Sequence, residues 1–227
     1  MPGSTMSSRT APEPTLALGL LWRVGRALSR VLFLLVFRGR VFGLRHVPRS
    51  GGALVVSNHQ SYLDPMFVAL SFERECCFMA RDSLFHNRFF GGLLKRVNAI
   101  PLKRGTADLG AVKTSLRNLE AGNMLVVFPE STRSADGAIG EMQHGVVMLA
   151  RRARVPIVPA LIVGAFKAWP RHARLPRPRP ILVAYGEPIL PAQTKGLDNA
   201  ACIRLVRERL IELAHRYGGP SPKAAPR

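Results

Sequence analysis

Short runs of apolar, β-branched residues alternate with stretches of helical periodicity along the chain from Gly51 onward. Continuous apolar runs of this length are typical of strands buried on both faces of a sheet. The clearest helix is predicted over 106–121, where leucine and valine recur every three or four positions and Gly122 follows. Strands alternating with helices predict an α/β fold: a single domain over 45–217 with a mostly parallel or mixed central sheet flanked by helices. The predicted strands cover 53–57, 76–80, 97–102, 124–128, 156–164 and 181–186, and the other predicted helices cover 64–72, 84–95, 142–153 and 197–217.

The N-terminal region has a different pattern, which is basic and amphipathic. Residues 15–44 contain two apolar stretches and no acidic residue, and Arg23, Arg26 and Arg30 are spaced so that they share one helix face. No charge-free run here approaches the roughly 20 residues that span a bilayer. We therefore expect amphipathic helices in the membrane interface, with the arginines at the lipid headgroups. The alternative is an ordinary helix packed on the domain, with its arginines in water. A disordered tail is expected over 1–14, and a flexible one over 218–227.

The charge balance is strongly basic, with 33 Lys and Arg against 14 Asp and Glu and a formal net charge of +19. Such a field attracts polyanions, either nucleic acid or an anionic membrane surface, although a general preference for arginine explains part of it. Nucleic acid is disfavoured, because the sequence has no zinc-finger or RNP-like pattern and only 7% aromatic residues for base stacking. The Pro- and Arg-rich connection 165–180 is predicted to be irregular.

The three cysteines indicate reduced thiols in a cytoplasmic setting. Cys76 and Cys77 are adjacent, which does not suit ordinary disulfide geometry, and Cys202 is remote from both. A nucleophilic role for one of them is the less favoured alternative. Together with the N-terminal pattern, this predicts a monotopic or peripheral protein on the cytoplasmic face of the inner membrane.

His59 and Asp64 form the first candidate site. They lie in SNHQSYLD, between a predicted strand and a predicted helix, which is where ligands gather in open α/β sheets. A turn between the two elements allows an aspartate at the helix cap to reach back to the imidazole. Such a pair can fix the histidine tautomer and let the other ring nitrogen take a proton from a hydroxyl. The alternatives are a plain helix cap at Asp64 and a histidine bonded to backbone.

The stretch FPESTRS at 128–134 follows another predicted strand and forms the second candidate site. Arg133 could hold a phosphate with its bidentate guanidinium, and Glu130 could hold that arginine or a substrate hydroxyl. The alternative is a surface loop with a weak ion pair. Arg81 and Arg104 also follow predicted strands, so several strand ends each bear a cation or a catalytic group. Nucleotide-binding loops of the Gly-x-x-x-x-Gly-Lys or Gly-x-Gly-x-x-Gly type are absent from the sequence.

Four blocks make the sequence resemble the 1-acyl-sn-glycerol-3-phosphate acyltransferase family of glycerolipid acyltransferases. They are NHQSYLD (58–64), IPLKRG (100–105), FPESTRS (128–134) and VPIVPA (155–160), in the family's order. The first and third blocks are specific, and the other two alone are weak. The resemblance implies transfer of a fatty acyl group from acyl-CoA or acyl carrier protein to a lysophosphatidate hydroxyl. It also implies no metal or other cofactor, and a membrane-embedding N-terminal region.

The resemblance also implies a role for each matched residue. His59 would be the general base and Asp64 would orient it. The acceptor's glycerol phosphate would be contacted by Arg81, Arg104, Glu130, Ser131, Thr132 and Arg133, and Pro159 would shape the acyl-donor side. Ser131 replaces the family's glycine, which leaves other lysophospholipids or glycerol 3-phosphate open as acceptors. A non-catalytic basic protein that binds membranes or nucleic acid is the alternative of a different class.

Overall fold

The computed structural model describes residues 16–72, 74, 76–96, 98–103 and 108–223. The predicted tail 1–14, the last four residues of the tail 218–227 and the candidate site residue Arg104 lie outside these ranges. The described residues form a seven-stranded sheet with helices packed on both faces.

The sheet is mostly parallel, as predicted from the alternation of strands and helices. Its order is β1-β7-β6-β2-β5-β3-β4, and the five strands from β6 to β4 run parallel. Strand β7 runs antiparallel to β6, and β1 runs parallel to β7 at the edge. The strands are β1 Arg40–Phe42, β2 Ala53–Ser57, β3 Cys76–Arg81, β4 Ala99–Leu102, β5 Met124–Val127, β6 Ile157–Val163 and β7 Leu182–Tyr185. Six of these match the predicted strands, and the short β1 was not predicted.

The predicted helices are present with shifted ends, and a further short helix, Ala165–Ala168, corrects the prediction of irregular structure at the start of the connection 165–180. Asp108 and Asp198 cap α4 and α7, since each carboxylate accepts from a backbone N–H in the first turn. The predicted helix 84–95 is divided into a 3-10 turn and α3, and the predicted helix 142–153 begins with a 3-10 turn. The α-helices are α1 Leu16–Leu35, α2 Asp64–Ser71, α3 Arg88–Arg96, α4 Leu109–Glu120, α5 Val147–Ala153, α6 Ala165–Ala168 and α7 Asn199–Tyr217. The 3-10 turns are Leu44–His46, Asp82–Phe85, His144–Val146 and Pro191–Thr194.

The central strands are buried on both faces, which explains their unbroken apolar sequences. In β2, Leu54 and Val56 face the core beneath α4, α5 and α7, and Ala53 and Val55 face the core beneath α1 and α2. Each fully buried leucine or phenylalanine stabilises the fold by roughly 1.5–3 kcal/mol. The resulting three-layer domain holds the carboxyl ends of β2, β5 and β3 at one edge.

Helix α1 turns two of its arginines inward, which corrects the expectation that they lie at lipid headgroups. Arg30 donates from Nε to the carbonyl oxygen of Leu70 at 3.1 Å and from Nη2 to that of Phe72 at 2.9 Å. Arg26 also donates to the Phe72 carbonyl. These carbonyls end α2, where backbone acceptors are unpaired and the helix dipole is negative, so guanidinium groups are favoured there. The prediction that the arginines lie at lipid headgroups is therefore wrong for Arg26 and Arg30. The alternative that they lie in water is wrong for them as well.

The same helix leaves an apolar face exposed. Phe33 and Phe37 are buried, with ring centroids 5.4 and 5.3 Å from the ring of Phe67 in α2. The helix ends at Leu35, and Arg40–Phe42 joins the sheet, so the prediction of helix as far as residue 44 is wrong at its end. Of the helices described, none has the length and apolarity needed to cross a membrane. The exposed apolar side chains are Val24, Leu28, Val31, Leu32, Leu34 and Leu35.

Candidate active site

The first candidate block forms the turn between β2 and α2. Asn58, which is buried, comes directly after the last residue of β2. Its side-chain Nδ2 donates to the carbonyl oxygen of Ile162 at 3.0 Å, and its Oδ1 accepts from the backbone N–H of the same residue at 2.7 Å. The asparagine side chain thus continues the pairing between β2 and β6 by one step. This fixes where the turn begins and therefore where His59 lies.

His59 and Asp64 are in direct contact, as the sequence predicted. Nδ1 of His59 lies 2.9 Å from Oδ2 of Asp64, and the two side chains are 18% and 0% exposed. The same Oδ2 accepts from the backbone N–H groups of Gln60 at 2.5 Å and Ser61 at 2.7 Å. Asp64 is the first residue of α2 and not its cap, which is Leu63, and its carboxylate reaches back into the turn. With Nδ1 engaged, Nε2 is the ring nitrogen left to exchange a proton.

Phe128 holds the imidazole from one side. Its ring is stacked on that of His59, with centroids 4.4 Å apart and planes 28° apart. Phe128 begins the second candidate block, so the two blocks meet at the imidazole of His59. This contact cannot be predicted from the sequence, since an apolar residue at a strand end is typical of the core.

Glu130 binds the backbone of the histidine turn. Its Oε1 accepts from the backbone N–H of His59 at 2.9 Å, and its Oε2 accepts from that of Gly140 at 3.2 Å. Burial raises the pKa of Glu130 to about 7, and these two hydrogen bonds oppose the rise. The prediction that Glu130 holds Arg133 is wrong, because its two oxygens serve backbone donors. The predicted contact of Glu130 with the acceptor stays a prediction.

Two further hydrogen bonds join the turn to the second block. The backbone N–H of Ser134 donates to the carbonyl oxygen of His59 at 2.8 Å. The side-chain Nε2 of Gln60 donates to the carbonyl oxygen of Gly137 at 2.5 Å. Together with Glu130, these bonds make residues 58–64 and 128–140 one interlocked unit.

Arg133 lies against an aromatic ring. Its Cζ is 3.3 Å from the ring centroid of Tyr62, a residue of the histidine turn. Trp169, which follows α6, packs on Tyr62 with ring centroids 5.1 Å apart. The Nη1 atom of Arg133 is buried and has no hydrogen-bond partner within the described residues. An arginine whose Nη1 lacks a hydrogen-bond partner thus lies against the turn that contains His59 and Asp64.

Ser131 takes the backbone conformation that a glycine would favour. Its φ is 60°, in the left-handed region, and its backbone N–H donates to the carbonyl oxygen of Phe128 at 3.2 Å. Thr132 donates its backbone N–H to the carbonyl oxygen of Glu130 at 2.7 Å. Ser131 and Thr132 are both exposed. Serine thus preserves the loop's path, and its hydroxyl lies at the surface of the site.

Three predicted site residues remain: Arg81, Pro159 and Arg104. Arg81 is the exposed last residue of β3, and the β3–β5 register places it at the same edge as Phe128. Pro159 is buried within β6, paired with Val56 and accepting at its carbonyl from Gly186, so its role on the acyl-donor side stays a prediction. Arg104 lies outside the described residues, and its predicted contact with the acceptor also stays a prediction.

Comparison with known proteins decides the family. The acyltransferase family model matches residues 38–163. A probable 1-acyl-sn-glycerol-3-phosphate acyltransferase of Mycoplasma pneumoniae is 30% identical over 193 residues, which cover 78% of this chain and 71% of that protein. The chain belongs to the 1-acyl-sn-glycerol-3-phosphate acyltransferase family. The resemblance drawn from the sequence blocks is therefore confirmed.

Other members of the 1-acyl-sn-glycerol-3-phosphate acyltransferase family agree in sequence and in fold. The Bacillus subtilis 1-acyl-sn-glycerol-3-phosphate acyltransferase is 24% identical over 182 residues, covering 78% of this chain and 88% of that one. The crystal structure of the Thermotoga maritima 1-acyl-sn-glycerophosphate acyltransferase superposes with a TM-score of 0.76 at 23% identity, covering 90% of this chain and 83% of that chain. This likeness shows the fold. The chain is accordingly an acyltransferase of phospholipid biosynthesis, as predicted, and the non-catalytic alternative is excluded.

Proposed function

We propose that this enzyme transfers a fatty acyl group from an acyl thioester, acyl-CoA or acyl carrier protein, to the free hydroxyl of 1-acyl-glycerol 3-phosphate. The product is phosphatidic acid. The single observation behind the proposal is the 2.9 Å contact between His59 Nδ1 and Asp64 Oδ2, in a turn bonded to the loop that bears Arg133.

In the proposed reaction, Nε2 of His59 takes the proton of the acceptor hydroxyl while Asp64 stabilises the imidazolium that forms. The hydroxyl oxygen attacks the thioester carbonyl carbon, so a C–O bond forms and a tetrahedral oxyanion results. The oxyanion then collapses, the C–S bond breaks, and the leaving thiolate takes the proton from the imidazolium. In this proposal the transfer is direct. Neither the turn nor the loop 128–134 contains a cysteine, Ser61 Oγ accepts from the backbone N–H of Leu63, and Ser134 Oγ donates to the exposed carboxylate of Asp136 and not to His59.

Arg133 is suited to bind the acceptor's phosphate. A guanidinium binds phosphate oxygens in bidentate fashion, and burial strengthens such a bond. Ser131 keeps the loop's left-handed turn, which supports the same phosphate-bearing acceptor as in the family. Arg81, at the same edge, would add positive potential around the phosphate.

The surface beside the active site suits an anionic membrane. The apolar face of α1 is exposed, with Leu35 75% exposed, and Ile181 donates to the carbonyl oxygen of Phe37 just beyond this helix. The connection 165–180, which leads to Ile181, contains basic residues and no acidic residue, and its basic side chains are exposed. An apolar face beside basic residues is the composition of an interfacial membrane-binding surface. We infer monotopic or peripheral attachment at the cytoplasmic face. The basic residues are Lys167, Arg171, His172, Arg174, Arg177 and Arg179.

The enzymatic proposal is tested by an acceptor and donor screen with the purified protein. Phosphatidic acid should form from lysophosphatidate and an acyl thioester, and His59→Ala should lower kcat by a factor of about 10²–10⁴. His215→Ala, an exposed histidine on α7, is the matched control and should keep full activity. If glycerol 3-phosphate or another lysophospholipid is acylated in preference, that molecule replaces lysophosphatidate as the proposed acceptor. If no acyl group is transferred to any of them, the proposal is refuted.

Membrane attachment needs point substitutions, because deleting the N-terminal segment would also remove Phe33, Phe37 and strand β1 from the fold. Leu28→Gln with Leu35→Gln should weaken sedimentation with vesicles containing phosphatidylglycerol. Leu109→Gln is the matched control, since Leu109 is 76% exposed on α4, on the opposite face of the sheet. Equal binding by both variants would show that α1 is not the attachment surface.

A further inference from the structure

Tyr62 lies between His59 and Asp64 in the turn 58–64, which we call the histidine turn. It forms no hydrogen bond with the imidazole of His59 or the carboxylate of Asp64. Its ring, in a residue 53% exposed, is covered on one face by the guanidinium of Arg133, with Cζ 3.3 Å from the centroid. This is direct stacking of a cation on an aromatic face. The turn that positions the base thus also positions the arginine.

The way in which Arg133 is held matters for binding an anion. A carboxylate partner would occupy guanidinium N–H donors and neutralise the charge, whereas an aromatic face holds the flat group and leaves its donors free. Within the described part of the chain Arg133 forms no ion pair, and its buried Nη1 has no partner. Glu130, which is close in sequence, is engaged by backbone N–H groups instead.

Tyr62 is itself supported. Trp169 packs against it with centroids 5.1 Å apart, and the indole Nε1 of Trp169 donates to the carbonyl oxygen of Ala173 at 3.0 Å. The three side chains come from three separate segments: the histidine turn, the 128–134 loop and the connection after α6. The Tyr62 ring contacts both of the other two side chains.

We propose that Tyr62 is a positioning residue of the acceptor site: its ring, which also contacts Trp169, holds the Arg133 guanidinium without occupying N–H donors that the acceptor's phosphate needs. The proposal rests on the proposed function in one respect, that the acceptor bears a phosphate. It assigns a role to a position between the catalytic histidine and aspartate.

The test compares Tyr62→Leu, Tyr62→Phe, Arg133→Ala and the Tyr62→Leu/Arg133→Ala double variant. Three quantities are measured: the dissociation constant of 1-acyl-glycerol 3-phosphate without acyl donor, and the acceptor KM and kcat with donor. Tyr62→Leu should raise the dissociation constant and KM about three- to tenfold with kcat nearly unchanged, because it weakens binding that is equal in ground and transition states. Tyr62→Phe keeps the ring and should behave as the wild type. In the Arg133→Ala background, Tyr62→Leu should have no further effect on acceptor binding.

The outcomes separate this inference from the proposed function. An effect of Tyr62→Leu that is equally large without Arg133, or a loss of kcat at constant KM, would overturn the positioning role. Failure of Tyr62→Phe to bind normally would do the same, because the ring would not be the determinant. If the wild type binds lysophosphatidate but transfers no acyl group, the proposed function falls and the binding cycle still decides on Tyr62. If the wild type does not bind it, both fall.

Discussion

Replacing Glu130 by glutamine removes a half-buried carboxyl group whose hydrogen bonds the structure defines closely. The two carboxylate oxygens accept from the backbone N–H groups of His59 and Gly140 at 2.9 and 3.2 Å. A glutamine oxygen can keep the bond to His59, but the amide NH₂ cannot accept from Gly140. The variant therefore has a cost of about 1–3 kcal/mol that is independent of pH.

The pH-dependent part follows from the raised pKa. Burial raises the pKa of Glu130 from 4.5 to about 7, and the negative charges of Asp64 and Asp136 add to the rise. Between these values the folded protein holds more of this proton than the unfolded chain, so stability falls as pH increases through the window. The loss reaches at most about 3 kcal/mol when the carboxyl is ionised, with a steepest slope of about 1.4 kcal/mol per pH unit.

The pH-dependent contribution of Glu130 is measured by urea unfolding at pH 5, 6, 7 and 8. It is the difference in free energy of unfolding between the wild type and Glu130→Gln. Other titrating groups are the same in both proteins, so the difference isolates Glu130. The wild type should lose stability relative to the variant by roughly 2–3 kcal/mol from pH 5 to pH 8. Glu141→Gln, at an exposed neighbouring position, serves as the control for loss of an acidic side chain near the same loop. A wild-type-minus-variant difference that stays constant with pH would refute the reasoning.

Three other substitutions test the remaining contacts. Asp64→Asn should lower kcat by up to about 10⁴ by altering the tautomer of His59, measured as acyl transfer at saturating substrates. Asn58→Ala leaves the backbone N–H and C=O of Ile162 unpaired and should destabilise the domain by about 2–5 kcal/mol in urea unfolding. Ser131→Gly relieves a left-handed residue and should be neutral or stabilise by up to about 1 kcal/mol, with the acceptor preference unchanged in competition assays.

The sheet could be predicted because its central strands are buried on both faces, so burial and β-propensity agree in β2, β5 and β6. Strand β1 could not, since three residues in a basic apolar stretch give no periodicity, and its pairing with β7 joins residues far apart in sequence. Helix α1 shows a related limit. Periodicity identified which residues share a face, but only the fold reveals that Arg30 meets the carbonyls that end α2, 40 and 42 positions away.

The candidate site divides in the same way. His59, Asp64 and the 128–134 loop were found because their residue types and order are specific. The contacts that support them were not, because a sequence does not show that Phe128 stacks on His59 or that Tyr62 faces Arg133. Glu130 was predicted as a site residue, but its partner was predicted wrongly. Charge pairing suggested Arg133, whereas the donor to Oε1 is the backbone N–H of His59, 71 positions away.

That neighbour also explains why an acidic residue occupies position 130 despite the cost of burying it. Two backbone N–H groups, from His59 and Gly140, must be accepted at once, and a carboxyl group has two acceptor oxygens where glutamine has one. An added Cβ at Gly140 would lie 3.0 Å from Oε2, so a glycine at 140 gives the carboxyl its room. The desolvation that raises the Glu130 pKa is therefore the consequence of joining the backbone of His59 to that of Gly140 through one carboxyl group. A glutamine at position 130 would avoid the cost of burying an ionisable carboxyl group. It would lose the hydrogen bond from the backbone N–H of either His59 or Gly140.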